Sequence, residues 1–93
     1  MSGEVNKKSV TLSKEITISA AQCRGARAML GWSREELAEA SSVHLRTIVD
    51  FEREARSPRS ATLQALGQAL ERHGVTFLAD NGSGAGLRHK PKP

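Results

Sequence analysis

The chain has 93 residues, 38% of them hydrophobic and 3% aromatic, so it is long enough for one small domain with an aliphatic core. It has no run approaching the roughly 18 apolar residues that span a bilayer, and we expect no membrane partner. The net charge of +4 comes mostly from Arg88, Lys90 and Lys92, and it favours a polyanionic partner without requiring one.

The N-terminal part of the sequence predicts an arm followed by a first helix. Residues 1–15 are polar and show no hydrophobic periodicity, which is typical of a disordered arm. We expect the folded domain to span residues 16–79 and to contain a first helix over about 20–30. Ser19 is suited to cap the start of that helix, and Gly31 is suited to end it.

The middle of the sequence predicts two short helices with a break between them. Ser33 and Glu36 have the spacing of a capping box, so we expect a second helix from there to about Ala40. The two serines that follow interrupt this helix, and a third helix is expected over about 44–53.

The C-terminal part predicts a fourth helix, a strand and a tail. Ser60 is suited to cap a helix over about 61–73, in which leucines recur at helical spacing. Alternating apolar and polar residues predict a strand over 75–79, and residues 87–88 predict a brief return strand. We assign residues 80–93 as a whole to a flexible, basic tail.

The third predicted helix has two different faces on a helical wheel. Thr47, Ile48 and Phe51 lie together and are expected to face the core. The opposite face mixes aliphatic and charged residues, namely Leu45, Arg46, Val49, Asp50 and Arg53. A solvated face rarely carries leucine and valine, and a buried face cannot hold two arginines. We interpret it as a partner surface, with ordinary solvent exposure as the alternative.

Two charged residues lie on or beside the apolar stripes of their helices, Arg27 on the first and Glu52 on the third. A charge that is buried requires a partner of opposite sign. We therefore expect Arg27 and Glu52 to pair with each other and to tie the two helices together, which is a structural role.

No arrangement of residues indicates catalysis. His44, His73 and His89 have no carboxylate or cysteine at a supporting spacing. Cys23 is the only cysteine, which excludes an intrachain disulfide, and its apolar stripe is typical of an inert core residue. We expect neither an enzyme nor a cofactor nor a bound metal ion.

The segment Ser33 to Arg56, "SREELAEASSVHLRTIVDFEREAR", resembles the helix-turn-helix of the Cro/C1-type, or XRE-like, transcriptional regulators of bacteria and phages. The residues that match the family's pattern at the right spacing are Leu37, Ala38, Val43, Thr47, Ile48 and Glu52. The resemblance covers about residues 20–74, with the helix-turn-helix over about 33–53. Arg27 and Glu52 match the positions of the family's internal ion pair.

The resemblance implies an all-α fold: a compact, four- to five-helix, lambda-repressor-like DNA-binding domain with a short C-terminal β-strand or hairpin. It implies that the third helix lies in the major groove. By position, the residues expected to contact DNA are Arg34, His44, Leu45, Arg46, Val49, Asp50, Arg53 and Arg56. Arg46 suits a guanine, and Leu45 or Val49 suits a thymine methyl group. Asp50 suits either a cytosine amine or the orientation of Arg46.

The sequence therefore supports two hypotheses. The first is a sequence-specific, cytoplasmic transcriptional regulator that binds an inverted-repeat operator in double-stranded DNA as a homodimer. Val75–Ala79 is its candidate dimer strand, unless that strand folds back on its own domain. The second is a protein-interaction module, of an antiactivator or antitoxin-like kind, that keeps the fold. Asp50 and two departures from the family pattern favour the second: Ser42 replaces a turn glycine that often needs a positive φ, and Glu54 replaces the glycine after the third helix.

Overall fold

The computed structural model describes residues 17–79 and 82–90. The predicted N-terminal arm over 1–15 lies outside the described residues. The described part contains four helices followed by a β-hairpin. In chain order the elements are α1 (Ala20–Leu30), α2 (Arg34–Ser41), α3 (Leu45–Glu52), α4 (Ser60–Arg72), β1 (Val75–Leu78) and β2 (Gly86–His89). The expected all-α fold with a short C-terminal hairpin is confirmed.

Capping boxes begin both α1 and α2. The Gln22 N–H donates to Ser19 Oγ at 3.0 Å, and the Ser19 N–H donates to Gln22 Oε1 at 3.0 Å. In α2 the equivalent bonds join Ser33 and Glu36 at 3.0 and 2.7 Å. Each box satisfies two backbone donors that the first turn of a helix leaves unpaired. The predicted starts of both helices are confirmed.

The start of α4 differs from the prediction. Ser60 is the first residue of the helix rather than its cap, and Arg59 holds the cap position. No side-chain capping bond is found there among the described residues. At the other end of α4, the His73 ring meets the Trp32 ring edge-on, with centroids 4.7 Å apart. This contact joins the end of α4 to the loop between α1 and α2.

The core is aliphatic, as the composition predicts, and every helix and β1 contribute to it. The largest fully buried side chains are Leu37, Ile48, Leu66, Leu70, Val75 and Cys23. Core residues of α3 pack together with those of α1 and α2. This packing holds the inner face of α3 against the rest of the domain. No helix of the described residues is long and apolar enough to cross a bilayer.

The hairpin folds back onto its own domain. Strands β1 and β2 are antiparallel, and Val75 in β1 is only 1% exposed. The side chain of Gln22 in α1 donates from Nε2 to the backbone oxygen of Gly86 at 3.0 Å. A Cβ at Gly25 would lie 2.8 Å from Leu87 Cδ1, so the missing side chain lets β2 approach α1 closely.

The return strand predicted over residues 87–88 is confirmed, and it is longer than expected because β2 spans Gly86–His89. Residues 86–89 fall within the segment assigned to a flexible tail, but they pair with β1 as β2. The Lys90 N–H extends the ladder by donating to the Gly74 oxygen at 2.8 Å. Gly74 has a φ of 101°, and a Cβ there would lie 2.6 Å from the Lys90 oxygen. Residues 86–90 are ordered by backbone bonds to residues 74–78, which are distant in sequence. The local polarity of residues 80–93 therefore predicted a tail, because it carries no signal of that pairing.

Candidate nucleic-acid interface

The turn between α2 and α3 is closed by two serines. Ser41 Oγ donates to the Leu37 oxygen at 2.7 Å and accepts from the Val43 N–H at 3.3 Å. Ser42 then adopts the left-handed conformation, with φ 61° and ψ 26°. The positive φ expected at this position is confirmed. For a residue with a Cβ this conformation is unfavourable by about 1–2 kcal/mol, so the turn stores some strain.

The burial of α3 follows the predicted wheel. Ile48 and Phe51 are buried in the core, and Thr47 is half-buried at its edge. On the opposite side, Leu45 is 38% exposed and Arg46 is exposed. An apolar and a cationic side chain therefore stand side by side on the outer surface of a helix whose inner side is packed.

The other residues predicted to contact DNA lie around this outer face. Arg53 and Arg56 are exposed beyond the end of α3, and His44 is exposed before its start. His44 holds the cap position of α3, where no side-chain capping bond occurs among the described residues. Arg34 is half-buried as the first residue of α2.

Eight residues are predicted to contact DNA, and two of them, Arg46 and Asp50, form an ion pair with each other. It is the one ion pair between members of this set among the described residues. Asp50 Oδ2 lies 3.4 Å from Arg46 Nε, one helical turn away. The side chain of Arg46 is 82% exposed, whereas that of Asp50 is 18% exposed. The side chain of Arg46 is therefore much more open to solvent than that of Asp50.

A buried ion pair fixes α3 to α1. Arg27 donates from Nε and Nη2 to the two carboxylate oxygens of Glu52, at 2.8 and 2.7 Å. Cys23 Sγ donates to the same carboxylate at 3.2 Å, and Arg27 Nη1 donates to the Trp32 oxygen at 2.9 Å. Arg24 Nη1 donates to the backbone oxygen of Glu52. The bonds to Glu52 connect residues 25 to 29 positions apart and so set how α3 is oriented on the domain.

The pKa values in this cluster follow from burial and hydrogen bonding. Burial raises the pKa of the Glu52 carboxyl, but the bonds from Arg27 and Cys23 and the positive charge of Arg27 together act against it, and the net pKa lies below its usual value. The charge of Arg34 also lowers the pKa of Glu52. Burial, together with the bond to Glu52, raises the pKa of the Cys23 thiol, which keeps Cys23 protonated and a donor.

The end of α3 contains a backbone feature that was not predicted from the sequence. Glu54 has a positive φ of 62°, its N–H donates to the Phe51 oxygen at 2.9 Å, and the Ala55 N–H donates to the Asp50 oxygen at 2.8 Å. This is the Schellman arrangement, in which glycine is the usual left-handed residue. The family's glycine at this position was a signal for that backbone conformation, in addition to the charge difference.

The acid at position 54 also has an electrostatic neighbour that was missed. Glu54 Oε2 lies 3.9 Å from Arg24 Nη1, and both side chains are largely exposed. Arg24 therefore contacts both the end of α3 and the acid that follows it. Among the described residues, no group of three or more His, Cys, Asp or Glu side chains could hold a metal ion.

Comparisons with known proteins agree with this geometry. A helix-turn-helix family model, HTH_3, matches residues 24–76, which is more than half of the chain. The match runs from within α1 through α2, α3 and α4 to the start of β1. A search of curated proteins found no match. On the extent of the family match, the chain belongs to the Cro/C1-type helix-turn-helix family of DNA-binding regulators.

Proposed function

We propose that the protein is a sequence-specific transcriptional regulator that reads double-stranded DNA with α3. The observation that carries the proposal is the outer face of α3, where the exposed Arg46 stands beside the exposed Leu45 on a helix held by a buried ion pair. A guanidinium suits the O6 and N7 atoms of guanine, and an aliphatic side chain suits the methyl group of thymine. Such a rigid helix presents both groups in a constant orientation.

Exposed arginines and an exposed histidine around α3 support contacts with the phosphate backbone. Arg53, Arg56 and His44 are exposed on the segments that flank the helix. The first turn of α2 carries Glu35 and Glu36, so a phosphate contact there depends on Arg34 rather than on the helix terminus alone. Phosphate contacts release counterions, and we expect the affinity to fall steeply as salt is raised.

The proposal includes a homodimer on an inverted repeat, because one domain of this size makes few base contacts. Val75 faces the core of its own domain, so β1 would pair through its backbone edge rather than through its side chains. The Lys90 N–H donates to the Gly74 oxygen, and hydrogen-bonded pairs alternate with non-bonded pairs along an antiparallel ladder. The backbone N–H and C=O groups of Leu87 and His89 therefore point to the outer edge of β2. Either edge is able to accept a strand from a second copy.

Selection of bound sites from random DNA is the experiment that tests recognition. The selected site and a scrambled site are then compared by fluorescence anisotropy at several salt concentrations. We expect Arg46→Ala to weaken binding to the selected site by about 1–3 kcal/mol and to relax one base position. Arg72→Ala is the matched control, because it removes the same charge from the exposed end of α4, to which neither DNA nor dimer contacts are assigned. Equal affinity of the wild-type protein for both sites would refute the proposal.

Sedimentation of the full chain tests the dimer separately. We expect a monomer–dimer equilibrium that shifts toward the dimer when the selected site is added, and two half-sites in the selected sequence related by inversion. If the selected sequence contains one half-site and binds one copy of the protein at saturation, the proposed dimer is refuted. The proposal that α3 recognises the DNA would still stand.

A protein-interaction module is the second candidate, and the charge near α3 favours it. A groove of about 440 Å³ between α2 and α3 is lined by Glu35, Glu36, Ala38, Glu39 and Leu45. These acids repel phosphates and suit a basic protein surface. If selection from random DNA recovers no preferred site while Leu45→Ala abolishes binding to a protein partner, this second function replaces the first.

A further inference from the structure

The roles of Arg46 and Asp50 can be separated by their reach. Both lie on the outer side of α3, but the Arg46 side chain is 82% exposed and that of Asp50 is 18% exposed. Asp50 has a short side chain, and its backbone oxygen accepts the Ala55 N–H at 2.8 Å, within the turn that ends the helix. A short side chain that is largely covered is less able than Arg46 to reach a base edge, which disfavours the contact with a cytosine amine, one of the two roles that the sequence allows.

The contact between the two side chains favours the other role. Asp50 Oδ2 faces Nε of Arg46 at 3.4 Å, a distance typical of an ion pair rather than a strong hydrogen bond. Nε is the inner nitrogen of the guanidinium. Within the described residues, no bond occupies Nη1 or Nη2 of Arg46. Two parallel donors at the outer end of the side chain therefore remain available, as bidentate recognition of guanine requires.

Restricting the arginine in advance has a consequence for specificity. A free arginine samples many rotamers, so it can reach a phosphate or a different base when guanine is absent. A carboxylate next to Nε limits these alternatives and repels phosphates. Asp50 thus weakens binding to DNA in general through repulsion of phosphates. It favours guanine, which accepts hydrogen bonds from both outer nitrogens of Arg46, over the other bases.

We propose that Asp50 is a positioning residue that holds Arg46 for guanine and makes a G·C pair a strict requirement at one operator position. The inference rests on the proposed function, and it assigns the chemistry that α3 recognises. It predicts two effects of opposite sign when Asp50 is replaced: tighter binding to random DNA and weaker discrimination at the position read by Arg46. A purely structural role for Asp50 would instead weaken binding to all DNA in parallel.

The test uses the full chain with the selected site, a copy in which the G·C pair at the Arg46-dependent position is changed to A·T, and random DNA. The variants are Asp50→Ala, Asp50→Asn and each change combined with Arg46→Ala. For Asp50→Ala we expect discrimination between G·C and A·T to fall about tenfold, while affinity for random DNA rises. Asp50→Asn keeps an oxygen acceptor near Nε, and we expect it to retain part of the discrimination.

The combined variants distinguish positioning from direct reading. In the Arg46→Ala background, Asp50→Ala should produce no further loss of discrimination, since there is no guanidinium left to hold. A further loss there, or a loss at a different base pair, would overturn the inference by showing that Asp50 reads a base itself. Unchanged discrimination in Asp50→Ala, with the wild-type protein still selective, would overturn it as well. A wild-type protein that selects no DNA site would overturn the proposed function first.

Discussion

Replacement of Arg27 by methionine removes the donors of the buried ion pair and keeps an aliphatic stem of similar length. Glu52 is 3% exposed, and Arg27 supplies two of the three hydrogen bonds that its carboxylate accepts, at 2.7 and 2.8 Å. In the variant the carboxylate keeps only the bond from Cys23, which is the weakest of the three as a donor. A charge would then remain buried without a counterion.

The expected loss is large relative to the stability of so small a domain. Removing one partner of a buried pair costs about 3–5 kcal/mol, because the other charge stays desolvated. Domains have total stabilities of about 5–15 kcal/mol, and small ones lie toward the lower end. At about 4–8 °C per kcal/mol, the melting temperature should fall by roughly 12 to 40 °C. Arg27→Met should therefore be partly or wholly unfolded at 37 °C.

Urea unfolding followed by circular dichroism at 222 nm measures this effect. Arg27→Ala should lose at least as much stability as Arg27→Met, since it also removes the packing of the stem. The double variant Arg27→Met/Glu52→Met removes both charges, and it should recover most of the loss. Arg59→Ala, an exposed arginine before α4, is the control and should change stability by less than about 0.5 kcal/mol.

Two results would refute this reasoning. If Arg27→Met and Arg27→Ala both leave the melting temperature unchanged, the pair does not hold α1 and α3 together. If the double variant is no more stable than Arg27→Met, the loss comes from packing and not from a stranded charge at Glu52.

Three further predictions concern acid, the end of α3 and the hairpin. Because the folded-state pKa of Glu52 lies below its unfolded value, its contribution to stability is present above the unfolded pKa of about 4.3 and is lost as the pH falls through the folded pKa. Arg27→Met should invert this slope, since without Arg27 the raising effect of burial on the pKa of Glu52, the largest cause, should dominate. Urea midpoints at pH 7 and at about pH 3, which lies below the unfolded pKa, measure both effects. Glu54→Gly should stabilise the fold by about 1 kcal/mol by relieving the positive φ, and Glu54→Gln should not, while both should raise DNA affinity at low salt. Gly74→Ala should destabilise the hairpin more than Gly82→Ala, although both glycines have a positive φ. The added Cβ at Gly74 would lie 2.6 Å from the Lys90 backbone oxygen, whereas a Cβ at Gly82 would have no atom of the described residues within 4 Å.

Each of these predictions has an outcome that contradicts it. A wild-type protein with the same urea midpoint at both pH values would show that Glu52 titrates alike in both states. Equal stability of Glu54→Gly and Glu54→Gln would assign any gain to charge rather than to the backbone. Equal effects of alanine at Gly74 and Gly82 would show that the hairpin yields to the added methyl group.

Local sequence determined the helices and the two faces of α3. The cap at Ser19 and the capping box at Ser33 were predicted because each involves residues within one turn of backbone, and the structure adds that Gln22 completes a box at Ser19. Ile48 and Phe51 were assigned to the core because apolar residues recur with the period of the helix. The pairing of Arg27 with Glu52 was also accessible, since two charges on apolar stripes require each other.

The same local reasoning was incomplete where the backbone conformation depends on the turn as a whole. The family's glycine at the position of Glu54 indicates a left-handed residue, but only the effect of the negative charge of Glu54 was predicted from the sequence. The start of α4 was displaced by one residue, because a serine favours both the cap and the first turn.

Tertiary structure alone decided the relations between elements. That β1 and β2 form a hairpin on α1 depends on the approach of Leu87 to Gly25, which are distant in sequence. That Asp50 is largely covered while Arg46 is exposed depends on how α3 packs on the domain, because a helical wheel gives the direction of a side chain and not how far its neighbours cover it. Periodicity therefore identified the outer face of α3, whereas only the packed structure showed how differently Arg46 and Asp50 are exposed on that face.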